Sequence, residues 1–70
     1  MFKYDLSQMV KVQVFDLITE GEITIRIHYE TSLGTNNKYE VYIKSIDDYI
    51  SVWEQDLDFV QKMNIGDIVE

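Results

Sequence analysis

Three stretches of this chain alternate apolar and polar residues with period two: VKVQVF at 10–15, EITIRIHYE at 22–30 and KYEVYIK at 38–44. Such alternation puts every second side chain on one face of an extended chain. Its enrichment in Val, Ile and Tyr suits a pleated, half-buried surface. Val10, Val12 and Val14 share a face in the first run. Ile23, Ile25, Ile27 and Tyr29 share one in the second, and Tyr39, Val41 and Ile43 in the third. Three one-sided strands in succession predict an antiparallel meander with one apolar face that another element must cover.

Glu20-Gly21 stands between the first two runs, where glycine suits a tight hairpin turn. That turn pairs Thr19 with Glu22, Val14 with Ile27, Val12 with Tyr29 and Lys11 with Glu30. TSLGTNN at 31–37 reads as the second loop, bringing Tyr29 near Tyr39 and Ile27 near Val41. Phe2, Tyr4 and Leu6 also alternate, so the N-terminal segment reads as a short strand or a helical turn.

The cover is expected from the segment that begins at Ser45. Ser45 suits a helix N-cap, and Asp48 stands three residues later in partial capping-box fashion. Asp47 and Asp48 then lie in a first turn, where the helix dipole favours carboxylates. Ile46, Tyr49, Ile50, Trp53, Leu57 and Val60 follow the spacing of a buried helical stripe. Lys62 falls in the last turn, and Gly66 suits the position after the helix. The predicted fold class is α+β: a three-stranded antiparallel β-meander packed against one C-terminal amphipathic α-helix, in a single domain spanning residues 1–70.

Composition limits how such a domain can be held and used. With 70 residues and no Cys, it has neither a disulfide framework nor a thiolate metal site. Tight packing, self-association or a partner must serve instead. The hydrophobic fraction of 46% argues against disorder despite a net charge of −7. No apolar run is long enough to span a bilayer. MFKYDLSQ lacks the apolar stretch of a signal peptide, so the expected location is the cytoplasm.

Charge is unevenly placed. Residues 1–44 carry five basic and six acidic side chains, whereas residues 45–70 carry one Lys and seven acids. That imbalance argues against binding nucleic acid directly, which needs clustered Lys and Arg. It favours a protein partner with a basic surface. On the predicted helix, Asp47, Asp48, Glu54 and Asp58 form an acidic ridge facing away from Trp53. The ridge is either a partner-binding strip that imitates a phosphate backbone or a solvated face that keeps the domain soluble. Asp56 falls at the rim of the core.

Two further surfaces are candidates for contact. The predicted register sets Phe15, Arg26 and Tyr42 in one row on the open sheet face. An Arg between two aromatic rings suits either a partner hot spot or a local surface row. Val52, Phe59 and Met63 widen the apolar side of the helix. Phe59 and Met63 become self-association contacts unless Ile68 and Val69 fold back over them.

Catalysis finds little support. His28 is expected beside Gln13 and Glu40, but a single sheet face gives the pair neither a third group nor a pocket. No Ser or Thr has an activating base and acid. Asp47-Asp48 and Asp56-Leu57-Asp58 lack the spacing and central Gly of a calcium loop. No cofactor is implied.

The element order is roughly that of double-stranded-RNA-binding domains, but the basic cluster those domains need is missing. In layout and charge the chain resembles small inhibitors made by bacteriophages and mobile elements, among them anti-CRISPR proteins that mimic DNA. The resemblance rests on no motif and transfers no residue. It implies a non-catalytic, acidic protein-binding module or inhibitor. The competing expectation is a structural or assembly subunit that self-associates through its helix and a sheet edge.

Overall fold

The computed structural model describes residues 1–63. Four antiparallel strands form one sheet in the order β1-β2-β3-β4. They are β1 (Met9–Val14), β2 (Leu17–Thr31), β3 (Gly34–Ile43) and β4 (Asp48–Trp53), followed by the helix α1 (Glu54–Gln61). The α+β class and the meander stand. The strand count of three does not, nor does a helix starting at Ser45.

The fourth strand comes from the segment expected to open the helix. Ile46 N–H bonds to Ile43 C=O at 3.3 Å and Asp47 N–H to Lys44 C=O at 3.2 Å, closing a turn. Asp47 adopts φ 51, a left-handed conformation that stops helical propagation. DYISVW satisfies both periodicities, and pairing with β3 decides between them. Ile50 pairs with Val41 and Val52 with Tyr39 on the covered face, while Tyr49 lies opposite Tyr42 on the other. The Tyr42 and Tyr49 rings meet at 5.2 Å between centroids. A helix of eight residues remains. It is short for independent stability, so packing of Leu57 and Val60 holds it. Glu54 and Asp56 lie in its first turn, where the dipole favours them.

The first hairpin also turns elsewhere. Val14 pairs with Leu17, so the reversal is at Phe15-Asp16 and not at Glu20-Gly21. Phe15 takes the positive φ of 55 that this tight turn requires. Lys11 consequently faces Glu20, and Val12 faces Thr19. Gly21 is buried inside β2 for a different reason. A Cβ built on it would stand 2.4 Å from Val41 Cγ1 and 3.2 Å from the Tyr42 carbonyl oxygen. Its value is close approach, not conformational freedom.

The second connection is shorter than expected. Thr31 pairs with Gly34, leaving Ser32-Leu33 as a two-residue turn. Tyr29 therefore faces Asn36 and Ile27 faces Lys38, in place of Tyr39 and Val41. Between Ile23 and Ile25 the register slips by one residue. Thr24 is the extra residue of this bulge, and its hydroxyl donates to the Glu40 carbonyl at 3.1 Å. The slip reverses the alternation. Ile23 stays on the covered face, whereas Ile25, Ile27 and Tyr29 pass to the open one.

The core joins Val10, Val12, Ile23, Tyr39, Val41 and Ile43 to Leu57 of the helix and Tyr4 of the N-terminal segment. That segment is neither strand nor helix: it bends at residues 3–4 and turns at 6–7. It covers the part of the sheet the helix does not reach. Gly66, Ile68 and Val69 lie outside the described residues. Among the described residues no helix is long and apolar enough to cross a membrane.

Candidate functional site

The four acids expected to form one ridge are divided between two places. Asp47 and Asp48 are exposed at the β3–β4 turn and the start of β4. Asp47 accepts a hydrogen bond from the Tyr42 hydroxyl at 2.6 Å, which raises the tyrosine's pKa. Asp48 accepts from the Tyr49 N–H at 2.8 Å. Glu54 and Asp58 turn the other way, towards the N-terminal segment.

That turn creates a clamp. The Tyr39 hydroxyl donates to Glu54 and accepts from the N–H groups of Lys3 and Tyr4 at 3.1 and 3.4 Å. Buried Asn37 donates from Nδ2 to the Met1 carbonyl at 2.7 Å and to Glu54 at 3.1 Å. The Tyr4 hydroxyl donates to Asp58, which also pairs with the Lys3 ammonium at 2.7 Å. Burial pushes the Glu54 carboxyl up, but donation from Tyr39, Asn37 and Lys3 holds it below its usual value. Asp58 follows the same balance, with Lys3 and Tyr4 outweighing burial. Burial, then the neighbouring carboxylates, raises the pKa of Tyr4 and Tyr39. These carboxylates hold the first four residues onto the sheet.

The row of Phe15, Arg26 and Tyr42 does not assemble. Phe15 occupies the β1–β2 turn and is 93% exposed. Arg26 pairs with Tyr39 on the covered face, where its guanidinium stacks 4.7 Å over the Phe2 ring and donates to the Tyr4 carbonyl at 3.4 Å. Tyr42 alone remains on the open face. His28 also moves to the covered side, placing Nδ1 2.6 Å from Asn37 Oδ1 and its ring edge-on to Phe2. Glu40 lies opposite Ile25 on the other side. The His28–Glu40 pair is therefore not formed. Among the described residues no group of three or more His, Asp or Glu is placed to hold a metal ion.

The open face carries a surface that strict alternation concealed. Strand pairing sets Ile27, Lys38 and Trp53 in one row, Ile25, Glu40 and Ser51 in the next, and Glu22, Tyr42 and Tyr49 in a third. Met9 extends the third row. Tyr29 leans diagonally onto Trp53, with centroids 5.4 Å apart. The Lys38 ammonium lies 5.2 Å from the centre of the Trp53 ring. Met9, Ile25, Tyr29 and Tyr49 are all exposed, Tyr49 by 56%. No described element covers this face. Tyr49 and Trp53 could have been found from the period-two reading of DYISVW. The isoleucines could not, because nothing in an unbroken alternation marks a bulge.

Phe59 is 64% exposed on the outer helix surface. It edges a shallow apolar groove of about 380 Å³ between helix and sheet, lined also by Val12, Ile50, Val52, Leu57 and Val60. Asp56, expected at the core rim, lines the same groove and is exposed. Met63 is half-buried, and its carbonyl accepts from the Lys11 ammonium at 2.7 Å. Comparison with protein-family models, curated proteins and solved structures finds no match.

Proposed function

We propose that this protein is a small, non-catalytic protein-binding module whose working surface is the open face of the sheet. The observation that carries the reading is the cluster of Ile25, Ile27, Tyr29, Tyr42, Tyr49 and Trp53 on one sheet face, which no described element covers. Aromatic side chains dominate the energetics of binding hot spots, and they add contact area at low entropic cost.

The charges around this cluster favour one class of partner. Glu22 and Glu40 lie within it, and Asp47 stands at its edge, bonded to the Tyr42 hydroxyl. Of its cations, Lys11 is drawn to the Met63 carbonyl and Lys38 to Trp53. A phosphate backbone would meet net repulsion there. A protein surface with an apolar centre and a basic rim would not. Nucleic-acid-binding proteins carry basic patches, and occupying one would inhibit such a protein. In this form the inhibitor reading needs no continuous helical ridge.

Partner capture on the immobilised protein tests the proposal, using host lysate and a salt series. Tyr49→Ala and Ile25→Ala truncate exposed side chains, so both variants should stay folded by circular dichroism. Each should lower capture at least about tenfold, the loss expected of a hot spot. Raising salt should weaken capture of a basic partner. Equal capture by both variants would remove the open face as the working surface.

A further inference from the structure

The two edges of the sheet are treated differently. At β1, the Gln61 side chain acts as a substitute strand: its oxygen accepts from the Lys11 N–H at 3.1 Å and its amide donates to the Lys11 carbonyl at 2.6 Å. Lys11 also sends its ammonium to the Met63 carbonyl at 2.7 Å. At β4 no described side chain forms such a plug. Among the described residues, the one side chain bonded to the β4 backbone is local, the Asp48 carboxylate accepting from the adjacent Tyr49 N–H. The strand has six residues and no Pro, Lys or Arg. Apart from the carboxylate of Asp48 at its start, it lacks the devices that usually protect an exposed edge.

We infer that β4 pairs with β4 of a second copy of this chain, antiparallel and across a two-fold axis at Ser51. Face matching fixes the register. Directly opposed residues of antiparallel strands share a face, so the axis must pass through a residue and not between two. An axis at Ile50 would bring Asp48 against Val52 and Tyr49 against Ser51. An axis at Ser51 brings Ile50 against the second copy's Val52 and Tyr49 against its Trp53. Both pairs occur twice by symmetry, and the small side chain of Ser51 sits at the centre. This register matches apolar with apolar on the covered face and aromatic with aromatic on the open one.

The pairing extends contacts already present within one chain. Tyr42 touches Tyr49 at 5.2 Å and Trp53 touches Tyr29 at 5.4 Å. Joining Tyr49 to the second copy's Trp53 makes an aromatic stripe that crosses the axis. The pairing also extends the sheet beside Ile50 and Val52, at the exposed side of the groove edged by Phe59. The inference goes beyond the open-face proposal, since it concerns an edge and a second copy, and it stands without an external partner.

The chain has no Cys, so one introduced thiol reports proximity cleanly. Opposed Cα atoms lie about 4.5–5.5 Å apart in either kind of antiparallel pair, within disulfide range. Light scattering should give twice the 8.3 kDa chain mass, and Ser51→Cys should cross-link under mild oxidation. Tyr49→Cys alone should not, because its expected neighbour is Trp53. Ser51→Lys places two ammonium groups against each other at the axis and should give a monomer with an unchanged circular dichroism spectrum. Raising salt should leave the dimer intact or strengthen it, because two chains of net charge −7 repel. A monomeric wild type, or cross-linking through Phe59→Cys but not Ser51→Cys, would overturn the inference. Neither result touches the open-face proposal, which is read by partner capture.

Discussion

Replacing Tyr39 with Phe tests whether the clamp holds the fold together. The ring of Tyr39 is fully buried and packs against Phe2 and Tyr4 with centroids at 6.0 and 5.5 Å. Phe keeps that packing and removes only the hydroxyl. What is lost is one donation to a carboxylate, worth about 1.5–3 kcal/mol, and acceptance from two backbone N–H groups, worth about 0.5–1 kcal/mol together. Lys3 N–H is bonded to Glu54 as well, at 3.1 Å, so part of its satisfaction survives. The sum is about 2–4 kcal/mol against a total stability of about 4–10 kcal/mol for a chain of this size. Thermal midpoints should fall by about 10–25 °C. Urea unfolding at neutral pH measures the loss directly. The Glu54 pKa, followed by NMR, should rise in the variant because a donor that lowers it has gone. A Tyr39→Phe, Glu54→Gln double-mutant cycle should give a coupling of about 1–3 kcal/mol. A loss below about 1 kcal/mol with an unmoved Glu54 pKa would refute the reasoning, since the hydroxyl would then be holding nothing.

Three other outcomes are expected. Gly21→Ala should destabilise by about 1–3 kcal/mol in urea unfolding, although alanine suits a strand better than glycine, because Val41 and the Tyr42 backbone occupy the space its methyl needs. Phe15→Gly should stabilise by about 0.5–1 kcal/mol in the same assay, since an exposed side chain at φ 55 gives up little packing and glycine removes the strain. Stability should also depend on pH at both ends. Glu54 and Asp58 have folded values below their unfolded ones, so their contribution is complete above about pH 4 and is lost as pH falls through the folded values. Tyr4 and Tyr39 are raised. Their contribution is complete below about pH 10 and is lost as pH rises through the folded values. Urea midpoints across pH should show both limbs, and Glu54→Gln should flatten the acid one.

The sequence pattern and the structure part at a few identifiable residues. The alternation of Val10, Val12 and Val14 and of Tyr39, Val41 and Ile43 carried two strands and their covered face directly, because nothing interrupts either run. Within β2 the same pattern misled. Thr24 adds a residue whose effect depends on pairing with β3, and pairing is not written in any local run. DYISVW fitted both a helix and a strand, and the contacts with Val41 and Tyr42 chose the strand. Glu20-Gly21 carried a turn signal, yet Gly21 is small because Val41 approaches it from the neighbouring strand. The acids at 47, 48, 54 and 58 shared a wheel only while one helix was assumed. Glu54 and Asp58 find their partners in Lys3, Tyr4, Asn37 and Tyr39, distant in sequence, so no local pattern could reveal the clamp.

The Gln61 amide on Lys11 bears on what concentrated solutions of this protein can become. A flat ribbon with two live margins can recruit copies without limit, which is the geometry of fibrils. Here the chain's own side chain occupies the β1 margin at Lys11, which makes addition of a further strand there costlier. Gln61→Ala frees the Lys11 backbone and should raise the share of higher-order species in light scattering at high concentration.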